Sequence, residues 1–345
     1  MTRSGTGTVQ NAGFSAPPWG VEAPARWTTN FNILIIIEKK PGMPCAVRAS
    51  FVFSTMKGTA MKKVLLASVI SGLFALPGMA KAQTAPAAAP TPEHTYTGNA
   101  TLVSDYRFRG ISQTFKLPAV QAGFDYAHSS GVYLGTWASN VTNNVYANGA
   151  GLELDLYGGY KFDVAKDTTA DIGLLYYWYP GAKFNNPGQD KYNNTELYGA
   201  LSYGSFTAKY SHTLSDFFGM KTATMGGVCG LSSSGAVTTN CFSATPGGSK
   251  GSGYLDLAYN VDLGDKLTLG LHLGHQGIKN FGKLDYTDYK IGLTKEYGGF
   301  LFGAAVIATN ANTELWRAMN GAQANGLKFI DPRGTTVVLS LGKTF

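Results

Sequence analysis

The chain has 345 residues, with 28 Lys/Arg against 21 Asp/Glu and a formal charge of +7. Residues 1–82 hold nine Lys/Arg and two Asp/Glu, whereas residues 83–345 hold nineteen of each. A basic excess confined to one end, outside the body of the chain, removes nucleic acid as a partner.

Residues 1–60 show no coherent pattern, and their one apolar run, Phe31–Ile37, is too short to span a bilayer. From Met61 the chain reads MKKVLLASVISGLFALPGMAKAQ: Lys62 and Lys63, an apolar Val64–Met79, then Ala80-Lys81-Ala82. These are the three parts of a secretory signal peptide over 61–82, with cleavage after Ala82. Such a peptide works from an N-terminus, so residues 1–60 are expected to be a misassigned upstream translation absent from the mature protein. Residues 83–95 begin Pro/Ala-rich (QTAPAAAPTPE) and read as a flexible periplasmic leader. Residues 96–345 then form the folded part.

That part alternates with a period of two, the mark of strands with two unlike faces. The first predicted strand, Tyr96–Arg109, sets Gly98, Ala100, Leu102, Tyr106 and Phe108 against Asn99, Thr101, Asp105, Arg107 and Arg109. Ala119–His128 opposes Val120, Phe124 and Tyr126 to Gln121 and Asp125, and Val132–Asn140 is mixed on both faces. Leu152–Phe162 places Glu153, Asp155 and Lys161 opposite its leucines, and Ala170–Tyr179 does the same with Asp171. Thr195–Tyr203 carries Glu196, Phe206–Thr213 carries Lys209, and Tyr254–Leu263 carries Asp256. Leu267–Gln276 has a leucine face, Thr287–Glu296 carries Asp288, Lys290 and Glu296, Phe300–Thr309 is apolar on both faces, and Thr335–Phe345 ends the chain.

The twelve segments are joined alternately by short turns and long loops, the layout of an outer-membrane barrel. Aromatic clusters such as Tyr176–Tyr179 stand where strands would meet the membrane boundary. The expected fold is an all-β, up-and-down antiparallel transmembrane barrel of about twelve strands, surrounded by outer-membrane lipid. A terminal aromatic, Phe345, on an amphipathic last strand suits recognition by the outer-membrane assembly machinery, although Lys343 interrupts the apolar face.

The charged parity is expected to line the lumen. Its candidates are Asp105, Arg107, Arg109, Asp125, Glu153, Asp155, Lys161, Asp171, Glu196, Lys209, Asp256, Asp288, Lys290 and Glu296, with Arg107 and Arg109 as the basic side of a constriction. Eight-stranded barrels are filled and barrels of about 16–18 strands hold an aqueous channel. Twelve strands predict a narrow path for small hydrophilic solutes, with the Leu214–Gly253 loop as a candidate plug. Cys229 and Cys241 in that loop are a candidate disulfide in an exported protein.

No catalytic, cofactor or metal motif is read. His272 and His275 have HxxH spacing, but on a strand residues three apart point to opposite faces. An outer-leaflet lipid hydrolase would need a Ser–His pair, for which His212, His275, Ser215 and Asp216 are the available groups. A non-conducting adhesin or structural barrel is the other alternative to a porin.

Ser104–Thr114 (SDYRFRGISQT) and Pro118–Val141 (PAVQAGFDYAHSSGVYLGTWASNV) resemble the TorF-type porins of proteobacteria, the Gcw_chp family. The resemblance is dense there, extends in general layout to Phe345 and does not reach residues 1–82. It implies an outer-membrane β-barrel with a transport role, and it implies no particular solute.

Overall fold

The computed structural model describes residues 92–142, 150–184, 186–229, 247–312 and 331–345. The upstream region, the signal peptide and most of the leader lie outside the described residues, and so does Cys241. Among the described residues, no helix is long and apolar enough to cross a membrane. The chain is built instead from strands.

In chain order these are β1 (His94–Val103), β2 (Arg107–Phe108), β3 (Ile111–Ser112), β4 (Ala119–His128), β5 (Val132–Asn140), β6 (Leu152–Ala165) and β7 (Thr168–Trp178). They continue with β8 (Asn194–Tyr203), β9 (Phe206–Thr213), β10 (Gly253–Asp262), β11 (Leu267–Gly277), β12 (Tyr286–Tyr297), β13 (Phe300–Thr309) and β14 (Thr336–Thr344). All but β2 and β3 join in one antiparallel barrel of twelve strands. It closes where β14 pairs with β1, with Leu102 opposite Leu341. Closure satisfies every strand edge, which is what a β structure needs in lipid.

Alternation sorts the side chains, and the hydrophobic logic is inverted relative to a soluble protein. Val120 is 65% exposed and its neighbour Gln121 1%. Leu134, Leu156, Leu174, Leu201, Ile291 and Leu339 likewise form an exposed apolar outer surface. The same surface resolves the strand with two mixed faces, because Val132 and Leu134 point out and Tyr133 and Ser139 point in. On β13, Phe302 and Val306 face outward while Ala305 and Ile307 are buried.

The first predicted strand is corrected. β1 ends at Val103, and residues 104–118 leave the wall instead of continuing to Arg109. Ser104 marks the exit: its N–H donates to the Leu339 carbonyl (2.9 Å), and its Oγ accepts the Leu339 N–H (2.9 Å). β2 and β3 then form a two-residue hairpin, Arg107 opposite Ser112 and Phe108 opposite Ile111. Its turn residues, Arg109 (φ 46°) and Gly110 (φ 80°), are both left-handed, as a tight primed hairpin turn requires. Phe115 (φ 55°) and Lys116 (φ 62°) bend the chain back toward β4.

Candidate functional site

The hairpin lies in the lumen at the long-loop end. Asp105 organises it, accepting from Arg107 Nε (2.6 Å), Ser112 Oγ (2.5 Å) and Thr114 Oγ1 (3.4 Å). Arg107 fastens the hairpin to the approach to β14: its Nη1 donates to the carbonyls of Gly110 (3.1 Å), Pro332 (2.8 Å) and Gly334 (3.2 Å). Arg109 reaches across the lumen. Its Nη2 donates to both carboxylate oxygens of Glu196 on β8 (2.9 and 2.7 Å), and its Nη1 donates to Gln276 Oε1 on β11 (2.6 Å). The guanidinium also lies over the rings of Tyr254 (4.1 Å) and Phe108 (4.7 Å). A guanidinium held by a carboxylate, an amide oxygen and two rings has little freedom to turn.

The other hairpin face is aromatic. Tyr106 meets Trp137 on β5 with ring centroids 5.4 Å apart, and its hydroxyl donates to Glu153 on β6 (3.0 Å). Phe108 packs edge-on against Tyr177 on β7 and against Phe218. On the far side, a Cβ added at Gly110 would lie 2.7 Å from the Cβ of Asp288, so only glycine lets the turn approach β12. Glu153 and Glu196 have no exposed surface, and Arg107 is 1% exposed. The hairpin and these buried groups therefore narrow the long-loop half of the lumen.

This corrects two expectations. Asp105, Arg107 and Arg109 do not project from a strand wall, and Tyr106 and Phe108 do not face lipid; all five are buried in the hairpin. Of the expected plug, Leu214–Gly253, residues 214–229 and 247–253 fall among the described residues, and Phe218 adds a second layer on the hairpin. The described part of this loop contains a 3-10 turn at Phe217–Gly219 and a helix, α1 (Thr222–Cys229), and places Phe218 on Phe108. Cys229 ends that helix. Its candidate partner Cys241 falls outside the described residues.

Below the hairpin, phenols and carboxylates interleave around the wall. Tyr157 donates to Asp125 (2.5 Å) and Tyr133 to Asp171 (2.6 Å), with the Tyr133 hydroxyl also bonded to that of Tyr198. Lys209 Nζ lies over the Tyr198 ring (4.0 Å), and Lys161 Nζ lies over Tyr133 (5.8 Å). Across β10–β12, His272 bridges two acids, Nδ1 to Asp256 (3.1 Å) and Nε2 to Asp288 (2.7 Å), and Tyr254 also donates to Asp288 (2.9 Å). Lys290 is the register partner of His272. Glu296 sits apart, paired with Lys266 at the short-turn end. Glu153 Oε2 and Asp155 Oδ1 are buried without a hydrogen-bond partner among the described residues.

The tyrosines explain strand glycines that sequence reasoning leaves scattered. Tyr157 is the register partner of Gly135, Tyr133 of Gly159, and Tyr198 of Gly173. A Cβ on any of these glycines would overlap the paired ring or its hydroxyl, so each glycine lets a ring lie flat on the wall. Gln276, His272 and the tyrosines are the lumen groups that charge alone misses; strand parity carries the signal for them. His275 faces outward beside Thr287 Oγ1 (2.9 Å), on the face opposite His272. Ser215 donates to Asn194 Oδ1 (3.0 Å) and accepts from the Thr195 N–H (2.9 Å), so its hydroxyl serves the backbone of β8.

A family described as "bacterial protein of unknown function (Gcw_chp)" matches residues 87–345. The chain belongs to the Gcw_chp family. Of the two stretches that carry its resemblance, Ser104–Thr114 contains the lumen hairpin and Pro118–Val141 contains β4 and β5. No curated protein matches the Gcw_chp chain in sequence. Among solved structures, it is similar to a KdgM porin in complex with disordered oligogalacturonate, at 7% identity and a TM-score of 0.40 over 73% of this chain and 99% of that one. A NanC porin gives 9% and 0.41 over 72% and 98%. OprD from Pseudomonas aeruginosa gives 12% and 0.29 over 66% and 59%.

Proposed function

We propose that this Gcw_chp barrel is an outer-membrane porin that passes small hydrophilic solutes passively along a lumen narrowed by the β2–β3 hairpin. One observation carries the reading: a closed barrel with an apolar outer surface encloses an interior of ionised and phenolic groups. A wall of that polarity lowers the barrier to water and ions. Lumen acids outnumber lumen bases, which favours cations among charged solutes. The signal peptide and cleavage after Ala82 would deliver it, and Phe345 would present its last strand to the assembly machinery. Mass spectrometry of the exported protein should then find Gln83 at the N-terminus.

Conductance of the purified protein in planar bilayers tests the proposal. Small, discrete, cation-preferring openings are expected; a silent bilayer with correctly folded protein would sink it. The fully buried Arg109–Glu196 seal favours a second reading, a closed barrel whose long loops act at the surface. In that case the intact barrel stays silent and conducts only when the hairpin is removed.

A further inference from the structure

The lumen accounts for most of the ionisable groups, but not for a cluster on the outer rim at the short-turn end. Glu93, His94 and His128 each present one metal-ligating atom there, all within 4.8 Å of one another. Strand register creates the cluster. His94 and His128 are directly opposed partners in the β1–β4 ladder, with ring centroids 5.2 Å apart. Glu93 precedes β1 and is held over the β4–β5 turn, where its carbonyl accepts the Ser129 N–H (2.9 Å).

The rings are already oriented. His94 Nδ1 lies 3.0 Å from the Tyr126 hydroxyl, and His128 Nδ1 lies 2.7 Å from Ser130 Oγ. The Tyr126 oxygen can accept the His94 Nδ1 proton, the arrangement that leaves Nε2 with a lone pair for a metal. At His128 the Ser130 N–H donates to Nδ1 (3.1 Å), so a metal at Nε2 requires the other tautomer, in which Nδ1–H donates to Ser130 Oγ. His128 Nε2 is 3.5 Å from Glu93 Oε1. Two ligand atoms on one tetrahedral zinc ion stand about 3.4 Å apart.

We propose that Glu93, His94 and His128 bind one divalent ion of the zinc class. Two imidazoles and a carboxylate suit such an ion and leave a fourth position for water. Calcium and magnesium need an oxygen-rich shell that this cluster lacks. The ion clamps the segment entering β1 to the β4–β5 turn. This inference does not depend on conduction.

The test is calorimetric titration of the untagged, EDTA-treated protein, purified folded from membranes, with zinc ion and in parallel with calcium ion. One zinc per barrel is expected, with no calcium uptake. Binding should be lost in His94→Ala and His128→Ala and kept in His212→Ala, an exposed histidine at the other end of the barrel. Tyr126→Phe should weaken it about tenfold by removing the partner of His94. Absence of zinc uptake, uptake unchanged in both rim variants, or equal uptake of calcium would overturn the proposal. Circular dichroism of each variant establishes that the barrel is intact, so loss of binding reports the site.

Discussion

The two halves of the lumen share one wall and differ in what fills it. At the long-loop end, the hairpin, Phe218 and the buried Arg109–Glu196 pair leave charged groups with no exposed surface. At the short-turn end, Lys266–Glu296 pairs in the open, with the side chains 50% and 34% exposed. Strand count sets the width of a barrel, but here an inserted segment, not the wall, sets the bore. Narrowness is thus a local property that can be removed at one end without disturbing the other.

Removing the hairpin should have the largest effect. Replacing residues 105–116 by a Gly/Ser linker is expected to raise single-channel conductance severalfold while the barrel still forms; unchanged conductance would place the constriction elsewhere. Arg109→Ala attacks the same end more finely. It leaves Glu196 buried without its cation, so unfolding in denaturant should become easier by about 3 kcal/mol, and any remaining current should shift further toward cations.

The wall between the halves is tested by Gly173→Val, whose side chain collides with Tyr198. Overpacking of this kind costs about 2 kcal/mol and should lower refolding yield without changing selectivity. At the open end, Lys266→Ala removes an exposed pair and should stay within about 0.5 kcal/mol of wild type. If it cost as much as Arg109→Ala, the contrast between the halves would collapse.

A pH series gives the mildest probe of the long-loop surface. The Lys221 ammonium, hydrogen-bonded at 2.8 Å, holds the Asp190 carboxyl below its usual range. A lowered acid stabilises fully above its unfolded value, about 3.9, and loses that contribution as pH falls through the folded value. Protection factors of the amides in the Asn186–Lys191 turn, corrected for the intrinsic pH dependence of exchange, should therefore hold from neutrality to mild acid and fall only below that range.

Much of the barrel is legible in the sequence because a lipid-facing side chain must be apolar at every second position. Ala119–His128 and Phe206–Thr213 are read to the residue for that reason, whereas Val132–Asn140 and Phe300–Thr309, which lack a clean alternation, are bounded by the turns around them. Ser104–Arg109 misleads because it too alternates: one hairpin face meets aromatic rings and the other meets carboxylates. A two-faced strand inside a lumen has the same pattern as one in the wall. The Arg109-Gly110 turn is the local mark of the difference, and Arg-Gly is a weaker turn signal than Asn-Gly. The partners of Arg109 were out of reach, since nothing local links residue 109 to residues 196 and 276.

Those separations also order the assembly of the molecule. The hairpin emerges early in the chain, yet its anchors lie 87, 167 and 225 residues downstream. Its contacts cannot be complete until β8, β11 and the approach to β14 are in place, so the hairpin is expected to seat after strand pairing. Trp137, against Tyr106, is a natural clock for this step: its fluorescence should reach the native value only after strand content is complete.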